Sequence, residues 1–162
     1  MPVYYKTGNL LESDCDYICH QVNCMGKMGS GIAKQIKSKW PIVYDNYVKK
    51  CEAVKNEGSL LGDIQIVGLW TEFFAEKHHQ AVINMFAQWN YGSDGKRYTS
   101  YDAFWQCLNL IKYHVPKGRK IGFPHGIGCG LGGANWKIIS TMIEEVLDKD
   151  YNVYIYCKEN ET

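Results

Sequence analysis

Two polar residues, His20 and Asn23, stand where an apolar run gives way to glycines: Tyr17-Ile18-Cys19-His20-Gln21-Val22-Asn23-Cys24-Met25-Gly26-Lys27-Met28-Gly29-Ser30-Gly31-Ile32-Ala33. Tyr17, Ile18 and Cys19 begin a buried strand, and Ile32, Ala33, Ile36 and Trp40 fall on roughly one face of a helix. A strand that breaks into glycines and feeds a helix leaves backbone N–H groups without helical partners, and the absent side chains let an anion approach them. Read this way, the stretch is a phosphate-type site, with His20 and Asn23 beside the anion. An imidazole suits general acid/base chemistry or phosphoryl acceptance near neutral pH. A histidine at a strand end serves equally well as a satisfied structural residue.

A second loop repeats the pattern. Lys120 to Phe123 reads as a strand, followed by Pro124-His125-Gly126-Ile127-Gly128-Cys129-Gly130-Leu131-Gly132-Gly133 and a helix carrying Trp136, Ile139, Met142, Ile143 and Val146. Gly128-x-Gly130-x-x-Gly133 matches the dinucleotide fingerprint, but the 29 residues after Gly133 are too few for a two-halved nucleotide fold, so a nicotinamide dehydrogenase is not expected. The first loop lacks the Gly-Lys-Ser/Thr ending of a P-loop, which disfavours a kinase or GTPase. His125 either touches ligand or bonds loop backbone. His78 and His79 lie in a polar segment and read as solvated. Cys24 and Cys129 flank the loops with no basic neighbour to activate a thiol, and read as small, close-fitting residues. Tyr156 and Phe86, near strand ends, either stack on a base or belong to the core. No Cys, His and carboxylate cluster has metal-site spacing, so no metal or other cofactor is expected.

The chain has 162 residues, 46% of them apolar and 22% charged, which is ordinary for a soluble globular protein and long enough for a real core. A net charge of +1 gives no footprint for nucleic acid or a membrane surface. Seven scattered cysteines without a Cys-x-x-Cys point to a reducing compartment, and neither a leader nor a membrane span is visible; a cytoplasmic location is expected.

The elements that must position the loops follow in order. Strands are expected over 3–6, 16–22, from Ile64 to Leu69, over 81–86, 120–123 and 153–157. The helix after Gly29 should end near Trp40, because Pro41 disfavours a helical residue before it and suits the first turn of a new helix carrying Val43, Tyr44, Tyr47, Val48 and Cys51. Gly58 to Gly62 should turn the chain, and 71–80 reads as a polar, aromatic segment. Thr99 or Ser100 should cap a helix with Ala103, Phe104, Cys107, Leu108 and Ile111 inside. Alternation of strands and helices predicts a three-layer α/β/α domain over 1–162 with a mixed, largely parallel sheet. Both glycine loops would then share the crevice at the carboxyl ends of the strands.

These residues, taken together from Val3 to Cys157, resemble a macro domain, the ADP-ribose-binding α/β/α module. Thr7-Gly8-Asn9-Leu10 resembles the family's Gly-Asp-Ile segment, with Asn9 in place of the acid that holds the adenine amino group. His20-Gln21-Val22-Asn23 stands where many members have Asn-Ala-Ala-Asn, and Met28-Gly29-Ser30-Gly31-Ile32-Ala33 resembles the loop around the distal ribose and pyrophosphate. Gly126-Ile127-Gly128-Cys129-Gly130-Leu131 resembles the second phosphate loop, and Tyr156 the aromatic position near adenine.

His-x-x-Asn-Cys followed by Gly-x-Met-Gly-Ser-Gly-Ile-Ala and Trp40-Pro41 is similar to the ADP-ribose 1''-phosphate phosphatase branch. That resemblance implies a hydrolase with His20 and Asn23 as catalytic candidates and ADP-ribose or its 1''-phosphate as partner. It implies ligand contacts from Asn9, Leu10, Met28, Gly29, Ser30, Gly31, Ile32, Gln88, His125, Gly126, Ile127, Gly128, Cys129, Gly130, Leu131 and Tyr156. The neighbouring branch, which removes ADP-ribose from protein or nucleic acid, uses a lysine and an aspartate where this chain places Met85 and Gly132. An ADP-ribosyl hydrolase acting through other residues, or a reader that binds ADP-ribose or ADP-ribosylated macromolecules without turnover, is the alternative.

Overall fold

The computed structural model describes residues 3–55, 60–69 and 80–159. Six strands form one sheet: β1 (Val3–Thr7), β2 (Tyr17–Asn23), β3 (Ile64–Gly68), β4 (Ala81–Gln88), β5 (Lys120–Pro124) and β6 (Asn152–Cys157), in spatial order β1-β6-β5-β2-β4-β3. Every neighbouring pair is parallel except β3 with β4, which is antiparallel. The mixed, largely parallel α/β sheet expected from the sequence is therefore present.

Among the described residues, four α-helices cover its two faces. The pair α1 (Gly31–Lys39) and α2 (Pro41–Ala53) meet at Trp40, whose amide closes α1 onto the Ile36 carbonyl while Pro41 opens α2 at a position where no amide is needed. Their apolar residues Ile36, Val43 and Tyr47 pack on Ile18, Val22, Val82 and Phe86. On the opposite face, α3 (Tyr101–His114) and α4 (Trp136–Leu147) pack on Cys19, Ile83, Met85, Phe123 and Ile155. Ser100 caps α3 by accepting from the Ala103 amide, and Asn135 caps α4 by accepting from Lys137.

Strand alternation decides which side chains see which layer. Along β2, Ile18 and Val22 enter the α1/α2 layer, and His20 shares their parity; Cys19 and Gln21 face the other way. Strand β4 runs two residues past its expected end, to Gln88, and β3 stops at Gly68, one residue before Leu69. Phe86 is fully buried and stacks on Tyr47, so it belongs to the core. The turn expected at Gly58 and the segment with His78 and His79 lie outside the described residues.

Candidate functional site

A cleft of about 940 Å³ runs along the carboxyl ends of the strands. The sheet order fixes its layout. Gly8, Asn9 and Leu10 beyond β1, with Tyr156 of β6 and Lys158 just past it, form one end; the 124–132 stretch at the end of β5 forms the middle; Gln21 of β2 and Gln88 of β4 form the other end. The start of α1 (Ser30, Gly31, Ile32 and Ala33) supplies the facing wall.

Both loops present backbone rather than charge. Gly31 has φ +56°, the left-handed region that a β-carbon disfavours, and Ser30 takes the N-cap position without a side-chain hydrogen bond, so the first amides of α1 carry no internal cap. Across the cleft, Ile127, Cys129, Gly133 and Ala134 donate to carbonyls of their own loop, while the amides of Gly126, Gly128, Gly130, Leu131 and Gly132 have no acceptor among the described residues. Free N–H groups in a glycine turn and at the start of α1 are what an anion cradle needs. Lys158 is the one cation among the described lining residues, and Glu12 and Glu159 accompany it.

The 126–133 loop is held from below by a side-chain network whose proton positions are forced. Gln88 donates Nε2–H to the Asn90 carbonyl, so its Oε1 is the acceptor for Gln21 Nε2 at 2.7 Å. Thr99 donates its hydroxyl to the Gly128 carbonyl at 2.8 Å, so it accepts from the same Gln21 nitrogen at 2.7 Å. The amides of Tyr98 and Thr99 both donate to Gly132 O. Gly128 sits at φ +77° with room for a β-carbon only 2.8 Å from Gln21 Oε1, so no larger residue fits without displacing this network.

Of the ligand contacts expected from sequence, Asn9, Leu10, Ser30, Gly31, Ile32, Gln88, His125, Gly126, Ile127, Gly128, Gly130, Leu131 and Tyr156 line this cleft together. Met28, Gly29 and Cys129 do not; Met28 is a core residue of the α1/α2 layer, and the Cys129 thiol points to the Ile127 carbonyl. Gly8, Glu12, Gln21, Ala33, Gln35, Pro124, Gly132, Lys158 and Glu159 line it as well and were missed. Gln21 had a legible signal: it shares the parity of Cys19 near the end of β2. The Asn9 oxygen already accepts from the Leu11 amide at 2.9 Å, capping a single 3₁₀ turn at Leu10–Glu12.

The two catalytic candidates are placed differently from the sequence expectation of groups beside an anion. His20 is fully buried outside the cleft lining, with Nε2 2.5 Å from Asn84 Oδ1. Asn84 donates to Gln65 Oε1, and Gln65 donates to the Asn46 carbonyl of α2, so the Asn84 oxygen is an acceptor and His20 carries its proton on Nε2. Its Nδ1 has no partner among the described residues. Burial lowers the ring's pKa from 6.5 to about 4, outweighing the Asn84 hydrogen bond, so the ring is neutral and turned into the α1/α2 layer. Asn23 is buried too: its Oδ1 accepts from the Met25 and Lys27 amides, its Nδ2 donates to Lys27 O, and the Tyr47 hydroxyl lies 2.8 Å from Oδ1. It holds the 24–27 turn that carries the chain to α1. Burial pushes the Cys24 thiol up to about 12 and raises that of Cys129, so neither is a thiolate at neutral pH. Among the described residues no three His, Cys, Asp or Glu side chains gather to hold a metal, and no helix is long and apolar enough to cross a membrane.

Comparison with known proteins agrees with this geometry. The profile of the macro domain matches residues 19–143. An ADP-ribose 1''-phosphate phosphatase of Saccharomyces cerevisiae is 30% identical, over 94% of this chain and 97% of the relative. A DNA ADP-ribosyl glycohydrolase of Mycobacterium bovis is 40% identical over 95% of this chain, which spans 42% of that longer relative. The structure of Thermosipho africanus DarTG in complex with ADP-ribose shares the fold at a TM-score of 0.75 and 22% identity, covering 98% of this chain and 43% of that one. This chain belongs to the macro domain family.

Proposed function

We propose that the cleft binds ADP-ribose and that the protein hydrolyses ADP-ribose 1''-phosphate to ADP-ribose and inorganic phosphate. The observation that carries the reading is the pair of glycine turns facing each other across the strand ends, each with amides left free for an anion. A diphosphate laid between them is met by oriented backbone dipoles, so no buried side-chain charge has to be desolvated. The nucleoside then lies toward Asn9, Leu10 and Tyr156, and the distal ribose with its terminal phosphate lies toward Gln21 and Gln88. The full-length likeness to the yeast phosphatase supports the same substrate.

The reaction needs a water oxygen to bond to phosphorus while the bond to the anomeric oxygen breaks, which leaves ADP-ribose with its anomeric hydroxyl. Phosphoryl transfer passes through a loose transition state in which positioning and charge stabilisation supply most of the catalysis. The loop amides supply both, and Asn23 positions one of the loops. Phosphorus NMR of ADP-ribose 1''-phosphate with the protein tests this: growth of an inorganic phosphate signal is expected. Shifted pyrophosphate signals without phosphate release would leave a binding module.

A second reading is favoured by the 40% identity to the mycobacterial relative: release of ADP-ribose from nucleic acid. Met85 is fully buried and Gly132 has no side chain, so turnover of that kind would run through other residues. Free ADP-ribose appearing from an ADP-ribosylated oligonucleotide is the test.

A further inference from the structure

A second recess, of about 420 Å³, is lined in part by Cys24, Met25, Tyr44, Val48, Cys51 and Trp89. The two cavities share a wall. Gln88 lines the cleft and the next residue, Trp89, lines the recess, while the Cys24 amide donates to the Trp89 carbonyl at 3.0 Å and pins the wall. The recess therefore adjoins the cleft at consecutive residues of the chain, Gln88 and Trp89.

Its surface is aromatic, apolar and set among cations. Trp89 and Met25 are 49% and 46% exposed, large apolar groups left in water at the mouth of a cavity. Lys27 and Lys55 line the recess, and Lys37 Nζ stands 4.0 Å over the Tyr44 ring; Glu52 is the one carboxylate among the described lining residues. Burial keeps the Cys24 and Cys51 thiols protonated, so they offer neutral, polarisable surface.

The geometry points to this recess as the seat of one nucleobase of a single-stranded polynucleotide, stacked on Trp89 with its flanking phosphates on Lys27 and Lys55. The inference rests on the second reading above, in which ADP-ribose is carried by nucleic acid; the carrier base would then sit beside the distal ribose. Aromatic stacking combined with ammonium groups along a backbone is how proteins hold single strands without reading sequence. An acidic peptide would satisfy the lysines but set carboxylates against the indole, Val48 and two neutral thiols. A net charge of +1 is no obstacle, since a local field depends on which charges sit at the rim.

The test is fluorescence anisotropy of a fluorescein-labelled, unmodified single-stranded decanucleotide with wild type, Trp89→Ala, Trp89→Phe and Lys27→Glu. Saturable binding is expected, weakened at least about 10-fold in Trp89→Ala and largely restored in Trp89→Phe, on the scale of one stacked base. Lys27→Glu should weaken binding and flatten its salt dependence. Calorimetry with ADP-ribose checks that Trp89→Ala is folded with its cleft intact. Absence of saturable binding, equal affinity in Trp89→Ala, or Trp89-dependent binding of polyglutamate in place of the oligonucleotide overturns the inference. An ADP-ribosylated oligonucleotide separates the two ideas. Release of ADP-ribose without Trp89-dependent binding keeps the second reading and discards the recess. Binding without release keeps the recess and discards that reading.

Discussion

His20 ties stability to pH in a way that can be measured. The neutral ring donates from Nε2 to Asn84, and a second proton would go onto Nδ1, where no acceptor waits among the described residues. Its pKa falls from 6.5 to about 4 because burial penalises the imidazolium. The folded ring thus resists a proton that the unfolded chain accepts, so the unfolded state binds more protons between pH 6.5 and 4 and stability falls as pH drops through that window. The full difference is about 3 kcal/mol, of which about 2 kcal/mol is lost between pH 7 and pH 5. Urea unfolding of wild type and of His20→Gln at both pH values isolates this share, because every other titrating group is common to the two proteins. Glutamine keeps a donor for Asn84 but cannot titrate. Wild type should lose about 2 kcal/mol more than the variant on going to pH 5. Equal pH dependence, or an NMR titration placing the His20 ring near 6.5, would refute the buried, neutral assignment.

Gly128→Ala must place a β-carbon 2.8 Å from Gln21 Oε1 at φ +77°, so a loss of about 2–4 kcal/mol is expected in urea unfolding, with at least tenfold weaker ADP-ribose binding by calorimetry. Asn23→Ala strips partners from the Met25 and Lys27 amides and from the Lys27 carbonyl, and should cost about 3 kcal/mol while loosening the entry to α1; thermal unfolding and ADP-ribose titration read both effects. Gly122→Ala on β5 would press a β-carbon to within 2.6 Å of Leu10 Cδ1 and 2.8 Å of Cys15 Sγ. An overpacking loss of about 1–3 kcal/mol is expected by urea unfolding, together with a shifted Leu10 at the cleft.

The glycine loops were legible because their chemistry is local. A strand end, a left-handed glycine and a helix start are written in consecutive residues, and the amides they expose follow from backbone geometry alone. Thirteen of the ligand contacts that the family resemblance implies line the cleft, those in the glycine loops for that reason. The role of a side chain is another matter, because it depends on which layer the side chain enters and which strands flank it. His20 has the parity of Ile18 and Val22, a signal already present in the sequence that it points into a core layer, whereas Gln21 has the parity that reaches Thr99 and the loop at Gly128. What no local pattern could reveal is that His20 is paired with Asn84 and Asn84 with Gln65, because that row is assembled from three strands whose registers are set by the whole sheet. The same non-locality hid the recess, which brings Trp89 beside Cys24 through a hydrogen bond between residues far apart in the sequence. Chemistry carried by the backbone can therefore be located in this chain from spacing. Chemistry carried by a side chain waits on the register of strands that lie far apart in the sequence.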